Sequence, residues 1–130
     1  MKFKLQNRIT FHGSVNHNDV IKYFCKSHLF IFPTNTKEGF PKVLIEAMAC
    51  GLPSIATEVS VIPYLINKKC GIIIDKTDPQ SIYKSIMKMI NNPQLMKSMG
   101  KEARVKSKSY TIDRWIEIIR KRLNIAWSLS

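Results

Sequence analysis

Glu38 and Glu46 stand eight positions apart in the stretch Glu38-Gly39-Phe40-Pro41-Lys42-Val43-Leu44-Ile45-Glu46-Ala47-Met48-Ala49-Cys50-Gly51-Leu52-Pro53. Pro41 suits the first position of a helix, where the missing N–H costs nothing. The apolar residues Val43, Leu44, Ala47 and Met48 then recur at helical spacing as far as about Cys50. Glu38 would lie in the loop before this helix and Glu46 just inside it. Helical side chains lean toward the N-terminus, so Glu46 can reach back over the first turn. Two carboxylates would thus flank a helix N-terminus, whose free N–H groups and positive dipole end favour a phosphate. Paired carboxylates accept hydrogen bonds from sugar hydroxyls, and free amides donate to a diphosphate. Gly39 lets the backbone approach a ligand closely.

The elements that position this stretch read as an α/β pattern. Short apolar runs fall at Arg8 to Phe11, closed by Gly13, at Leu29 to Phe32, at Ser54 to Thr57 and at Gly71 to Ile74. Helical periods lie between and after them. One begins at an Asn18-Asp19 cap and carries Val20, Ile21, Phe24 and Cys25. A short one covers Val59 to Ile66, and three close the chain at about 79–91, 93–108 and 112–127. Gly51, followed by Pro53, sits where a left-handed helix cap belongs. Fully apolar strands alternating with helices predict one Rossmann-like parallel sheet of four strands with helices on both faces. Such sheets bind ligands outside the carboxyl ends of their strands, which places the loops after Gly13, Phe32 and Thr57 on one edge.

Size and composition narrow the reading further. A chain of 130 residues, 45% hydrophobic and 23% charged, is one soluble globular domain. It has no apolar run of about 18 residues and no signal-peptide pattern at its start, so a cytoplasmic location is expected. Three dispersed cysteines, with no Cys-x-x-Cys, read as reduced thiols rather than a disulfide framework or zinc site. The net charge of +12 is uneven. Residues 1–42 carry 7 basic and 2 acidic groups, residues 43–83 carry 3 and 4, and residues 84–130 carry 11 and 3. A neutral cleft with a cationic exterior suits an anionic partner or membrane surface as well as a merely solvated, Lys-rich surface. Nucleic acid is disfavoured, because no recognised motif appears and aromatic residues are not interleaved with the basic ones.

The same residues carry a family resemblance. Two glutamates eight positions apart, Gly39-Phe40 after the first and Glu46-Ala47-Met48-Ala49 with Gly51 and Pro53 around the second, resemble the Glu-x7-Glu signature of glycosyltransferase family 4. Phe11-His12-Gly13, His28 to Pro33 and Gly71 to Asp75 resemble that family's strand ends, so about residues 8 to 115 are covered. The family's Arg and Lys that grip the diphosphate lie upstream of this segment, and Ser60, Val61 and Tyr64 stand where its Gly-Gly pair and glutamate are usual.

The resemblance implies a retaining enzyme of two Rossmann-like domains, the GT-B fold. This chain would be its C-terminal donor-binding half, a single partial domain spanning 1–130 and truncated at its N-terminus. Glu38 would bind the donor sugar's hydroxyls and serve the chemistry as a positioning and electrostatic group. Gly39, Phe40 and Pro41 would approach the sugar and diphosphate, Glu46 would hold the ribose diol, and Gly13 would lie near the nucleotide. The donor would be a nucleotide-sugar, with a UDP-sugar favoured by the Glu-Gly-Phe-Pro variant, and no metal or other cofactor is expected. The acceptor would be a glycan or lipid-linked, in surface polysaccharide or glycoconjugate synthesis, with peripheral contact at the cytoplasmic face of a membrane. An N-terminal half or partner protein would complete the enzyme; the alternative is a nucleotide-sugar-binding module or remnant inactive by itself.

Without that signature, Glu46 reads as a helix glutamate paired with Lys42, and Glu38 as a solvated loop carboxylate. His12, His17 and His28 read as partly exposed surface histidines, and Met87, Met89, Met96 and Met99 as core filler. Tyr110, Trp115 and Trp127 are expected to pin the C-terminal helices.

Overall fold

The computed structural model describes residues 5, 7–37, 39–75 and 77–128. Along the chain run α1 (His17–Lys26), β1 (Phe30–Phe32), α2 (Lys42–Ala49), β2 (Ser54–Thr57), α3 (Ile62–Leu65), β3 (Gly71–Ile74), α4 (Pro79–Ile90), α5 (Pro93–Ser107), a 3-10 turn (Lys108–Tyr110) and α6 (Ile112–Ser128). The strands form a parallel sheet in the order β1-β2-β3, with Ile31 opposite Ile55 and Ile55 opposite Ile72.

Every residue of the central strand β2 is buried, so both faces of the sheet are covered. On one face Ala56 packs with Leu44 and Met48 of α2 and Ile62 and Leu65 of α3. On the other, Ile55 and Ile74 pack with Met89 of α4 and Met99 of α5. β1 and β3 are continuously apolar, as the sequence led us to expect, whereas β2 also buries the polar Ser54 and Thr57. Met89 and Met99 are core residues, and Met96 packs against them.

The expected fourth strand does not form. Residues 8–11 are exposed coil, with the Phe11 side chain 92% exposed. A strand needs a hydrogen-bonding neighbour as well as apolar side chains, and no described strand pairs with this segment. The first helix also differs. Its cap is Asn16 rather than Asn18-Asp19: Asn16 Oδ1 accepts from the Asp19 amide at 3.0 Å, and Asn16 Nδ2 donates to the Asp19 carboxylate at 2.7 Å. That reciprocal pair satisfies a first-turn amide, and so the helix starts at His17. Pro41 stands one position earlier than expected, as the cap of α2 rather than its first residue.

Glycines decide two close passages. Gly51 has φ +82°, and the amides of Gly51 and Leu52 donate to the carbonyls of Met48 (2.9 Å) and Ala47 (3.1 Å). This is the bond pair of a Schellman cap, and it ends α2 where the sequence placed the end. Gly100 of α5 runs against Gly51, so that a Cβ added at Gly100 would collide with the Gly51 carbonyl oxygen. Gly100→Ala is therefore expected to destabilise the fold by about 1–3 kcal/mol, the usual cost of forcing an atom into a packed contact. Urea titration checks it, and an unchanged midpoint would show that α5 can move away.

Asp78 caps α4, accepting from the amides of Gln80 and Ser81, both at 3.0 Å. Hydrogen bonding from Ser81, side chain first and then backbone, holds its carboxyl below the usual range. A group depressed in the folded state stabilises above its unfolded pKa, and that contribution fades as pH falls through the folded one. Asp78→Ala is thus expected to lower the melting temperature at neutral pH, with the gap from the parent closing in acid. A gap that stays constant with pH would show that the charge plays no part.

The C-terminal aromatic residues divide. Tyr110 packs on the core and donates to the Tyr64 carbonyl at 3.3 Å, whereas Trp115 and Trp127 are 52% and 73% exposed on a helix with no buried residue. Tyr110 pins the chain, and α6 lies beyond that anchor. No helix of the described residues is long and apolar enough to cross a membrane.

Candidate functional site

Gly39, Phe40 and Pro41 lead directly into α2, which carries Glu46. The fold brings these four positions together on one helix and the turn before it. Glu38 lies outside the described residues. Pro41, the cap residue of α2, makes no side-chain cap bond, although its carbonyl accepts from the Leu44 amide at 3.0 Å. Among the described residues no side-chain acceptor meets the first amides of the helix, the condition under which a helix start can donate to an anion. A Cβ added at Gly39 would meet nothing within 4 Å, so the space beside it is open.

The loop between β1 and α2 is held by the neighbouring strand. Thr57, buried at the carboxyl end of β2, donates its hydroxyl to the Thr34 carbonyl at 2.5 Å. Thr34 Oγ1 in turn accepts from the Thr36 amide at 3.1 Å. The loops after β1 and β2 thus share one edge of the sheet, at the carboxyl ends of the strands. Phe40 is anchored at the other end of this loop. Its ring lies 6.0 Å from that of Tyr110, tilted by 56°. Burial raises the Tyr110 hydroxyl above the ordinary phenol range, so it stays a neutral donor to Tyr64.

Glu46 is one-third exposed, and its partner is not the expected Lys42. His17, at the start of α1, approaches its carboxylate to 3.8 Å. The pair is charged only when the imidazole is protonated, and with His17 two-thirds exposed it adds little to stability. Its significance is positional, since it seats the start of α1 beside Glu46. The sequence treated His17 as ordinary surface; only a contact across 29 positions distinguishes it, and no local pattern encodes that. Gly13, with φ +64°, lies four residues ahead of His17 on the same exposed segment. His12, in that segment too, is engaged within the chain, with Nδ1 3.0 Å from the Tyr23 hydroxyl.

Glu46 also borders a groove of about 300 Å³ formed with Ala49, Arg104, Lys108 and Tyr110. Two cationic side chains therefore stand along the helix that bears the carboxylate, contributed by α5 and the 3-10 turn. The sequence offered no reason to single them out, because they lie some 60 positions downstream. Among the described residues, no group of three or more His, Cys, Asp or Glu is placed to hold a metal ion.

Comparison with known proteins gives the chain's family and fold. The family described as glycosyl transferases group 1 matches residues 1–106. An uncharacterised glycosyltransferase of Haemophilus influenzae is 36% identical over 102 residues, covering 77% of this chain and 29% of that protein. The capsular polysaccharide biosynthesis glycosyltransferase CapM of Staphylococcus aureus is 36% identical over 88 residues, 67% of this chain and 23% of CapM. Among solved structures, sucrose-phosphate synthase of Thermosynechococcus elongatus superposes with TM-score 0.78 at 26% identity, over 96% of this chain and 31% of that one. HepE of Anabaena, solved with UDP and glucose, has the same fold, with TM-score 0.81 at 22% identity over 92% of this chain and 33% of HepE. The chain thus spans about 30% of the length of the first curated relatives it matches. With its parallel α/β sheet, its likeness to GT-B enzymes and a family match over most of its length, the chain belongs to the glycosyl transferases group 1 family.

Proposed function

We propose that this chain is the donor-binding part of a retaining glycosyltransferase that takes a nucleotide-sugar, a UDP-sugar by preference, without a metal ion. The observation that carries the reading is the placement of Glu46. It sits on a helix whose cap residue, Pro41, offers no side-chain acceptor, directly after the open Gly39-Phe40 turn, at the carboxyl edge of a parallel sheet. In this reading Glu46 accepts from the ribose diol, and the first amides of α2 donate to the diphosphate as charge develops on it. Phe40, steadied by Tyr110, shapes the wall beside the sugar. Glu38 holds the sugar's hydroxyls and orients the anomeric carbon, and Gly13 borders the nucleotide. The helix dipole and nearby cations take the place of a metal at the leaving group.

Support for the donor comes from HepE, whose solved complex contains UDP and glucose. Support for a glycan or lipid-linked acceptor comes from relatives such as CapM, named for capsular polysaccharide biosynthesis, and the phosphatidylinositol N-acetylglucosaminyltransferase gpi3 subunit of Schizosaccharomyces pombe. The acceptor would be chosen by a further N-terminal part or partner, consistent with the short span of the relatives covered here. A cytoplasmic setting, peripheral at a membrane surface, fits a nucleotide-sugar donor and the +12 charge. The second reading, a binding module inactive by itself, has the same cleft and rests on the same short span.

Isothermal calorimetry with UDP, GDP and ADP, each with and without EDTA, tests the site. Weak binding with UDP preferred and no effect of EDTA is expected. A strict Mg²⁺ requirement, or no heat at millimolar ligand, would remove the site as drawn.

A further inference from the structure

Cys25 and Cys50 are 25 positions apart in sequence, yet the fold brings them together. Cys25 lies in the last turn of α1, and Cys50 is the C-cap residue of α2. The Cys50 side chain packs against the cluster of Phe24, Ala47 and Leu52, where these two helices meet. Both thiols line one groove of about 410 Å³. The third cysteine, Cys70, is buried elsewhere, with its sulfur engaged by Asn67. The groove is also cationic, bordered by His28, Lys97, Lys101 and Arg104. Arg104 also borders the groove beside Glu46, but the proposed donor site uses neither cysteine.

We propose that Cys25 and Cys50 form a reversible dithiol–disulfide site, oxidised by an anionic low-molecular-weight disulfide that the basic groove attracts. Cys25 is exposed and Cys50 only partly so, which assigns the first attack to Cys25. Its thiolate attacks one sulfur of the small disulfide, forming a mixed disulfide and releasing one small thiol. The Cys50 thiol then loses its proton and attacks the Cys25 sulfur, releasing the second small thiol. Two protein thiols are oxidised and one small disulfide is reduced to two thiols, so atoms and electrons balance. Burial, followed by the neighbouring Cys25 thiol, raises the Cys50 thiol above its ordinary range, which leaves the first attack to Cys25. Closure requires the two sulfurs to reach an S–S length of about 2.05 Å. The bond would tie α1, whose start carries His17, to α2, which carries Glu46.

Glutathione disulfide serves as the probe on the folded 130-residue chain, read by thiol titration, intact mass and peptide mapping. The expected result is loss of two of the three titratable thiols, a mass lower by two hydrogens and a Cys25–Cys50 cross-linked peptide, all reversed by dithiothreitol. Cys50→Ser should instead keep a stable glutathionyl adduct on Cys25. Cys25→Ser should form no intramolecular cross-link and lose thiols about tenfold more slowly. Cys→Ala at either position repeats the comparison if a serine variant misfolds, with circular dichroism as the check. A neutral small disulfide should react several-fold more slowly than glutathione disulfide at low salt, and the gap should close at high salt. Wild-type protein that stays fully reduced, accumulates adduct without closure, cross-links through Cys70 or forms only intermolecular dimers would overturn the proposal. So would equal rates for the anionic and neutral probes at low salt.

Discussion

Given labelled nucleotide sugars and a panel of lipid and glycan acceptors, the 130-residue chain alone is expected to show no sugar transfer, and adding a matching N-terminal half is expected to restore it. Transfer requires an acceptor hydroxyl within about 3–3.5 Å of the anomeric carbon, correctly aligned. Proper positioning of two reactants accounts for roughly 7–11 kcal/mol of barrier reduction, so its loss reduces turnover by many orders of magnitude. In this chain the candidate donor residues stand on one open wall: Phe40 is 45% exposed, and the space beside Gly39 is empty. A bound donor would be half exposed to water, with neither a positioned acceptor nor a closed, water-excluding cleft. Robust transfer by the purified chain alone, abolished by Glu38→Ala, would show instead that the chain is a complete enzyme.

The second large effect is expected at Glu46. Glu46→Ala should weaken UDP binding by about ten- to a hundredfold, since hydrogen bonds to a charged acceptor contribute about 1.5–3 kcal/mol and each 1.4 kcal/mol is a factor of ten. Glu46→Gln, which keeps one acceptor oxygen but not the charge, should lose less. His17→Ala separates ligand binding from structure, because it removes the imidazole beside Glu46 without touching the carboxylate. It should leave the melting temperature almost unchanged, the pair being largely exposed. Calorimetry beside thermal melts reads all three. Equal UDP affinity in Glu46→Ala and the parent would take Glu46 out of the site.

Most secondary structure was legible because its causes are local. The runs Ser54 to Thr57 and Gly71 to Ile74 are strands with the expected bounds, and α4 and α5 begin at the prolines that open their helical periods. The Gly51 cap could be placed because a left-handed residue after a helix favours glycine, whatever lies around it. The same locality made the Glu-Gly-Phe-Pro turn and the helix with Glu46 readable, and with them the family.

Tertiary structure decided the rest, because pairing and packing need a partner that no local pattern names. Arg8 to Phe11 has a strand's composition, yet stays coil without a neighbour to take its hydrogen bonds. Lys42 is four residues from Glu46 on the same helix, but His17, 29 positions away, is the cation that reaches it. Arg104 and Lys108 meet the Glu46 groove only because Gly100 lets α5 run against Gly51 and thereby close to α2. Cys25 and Cys50, which looked like two isolated thiols, line one groove because the packing of Phe24 against Ala47 and Leu52 sets α1 on α2. The sequence by itself determined the elements and the helix that presents Glu46. Which distant side chains surround that helix depended on how the elements close-pack, since contacts between them are set by shape and burial rather than by spacing along the chain.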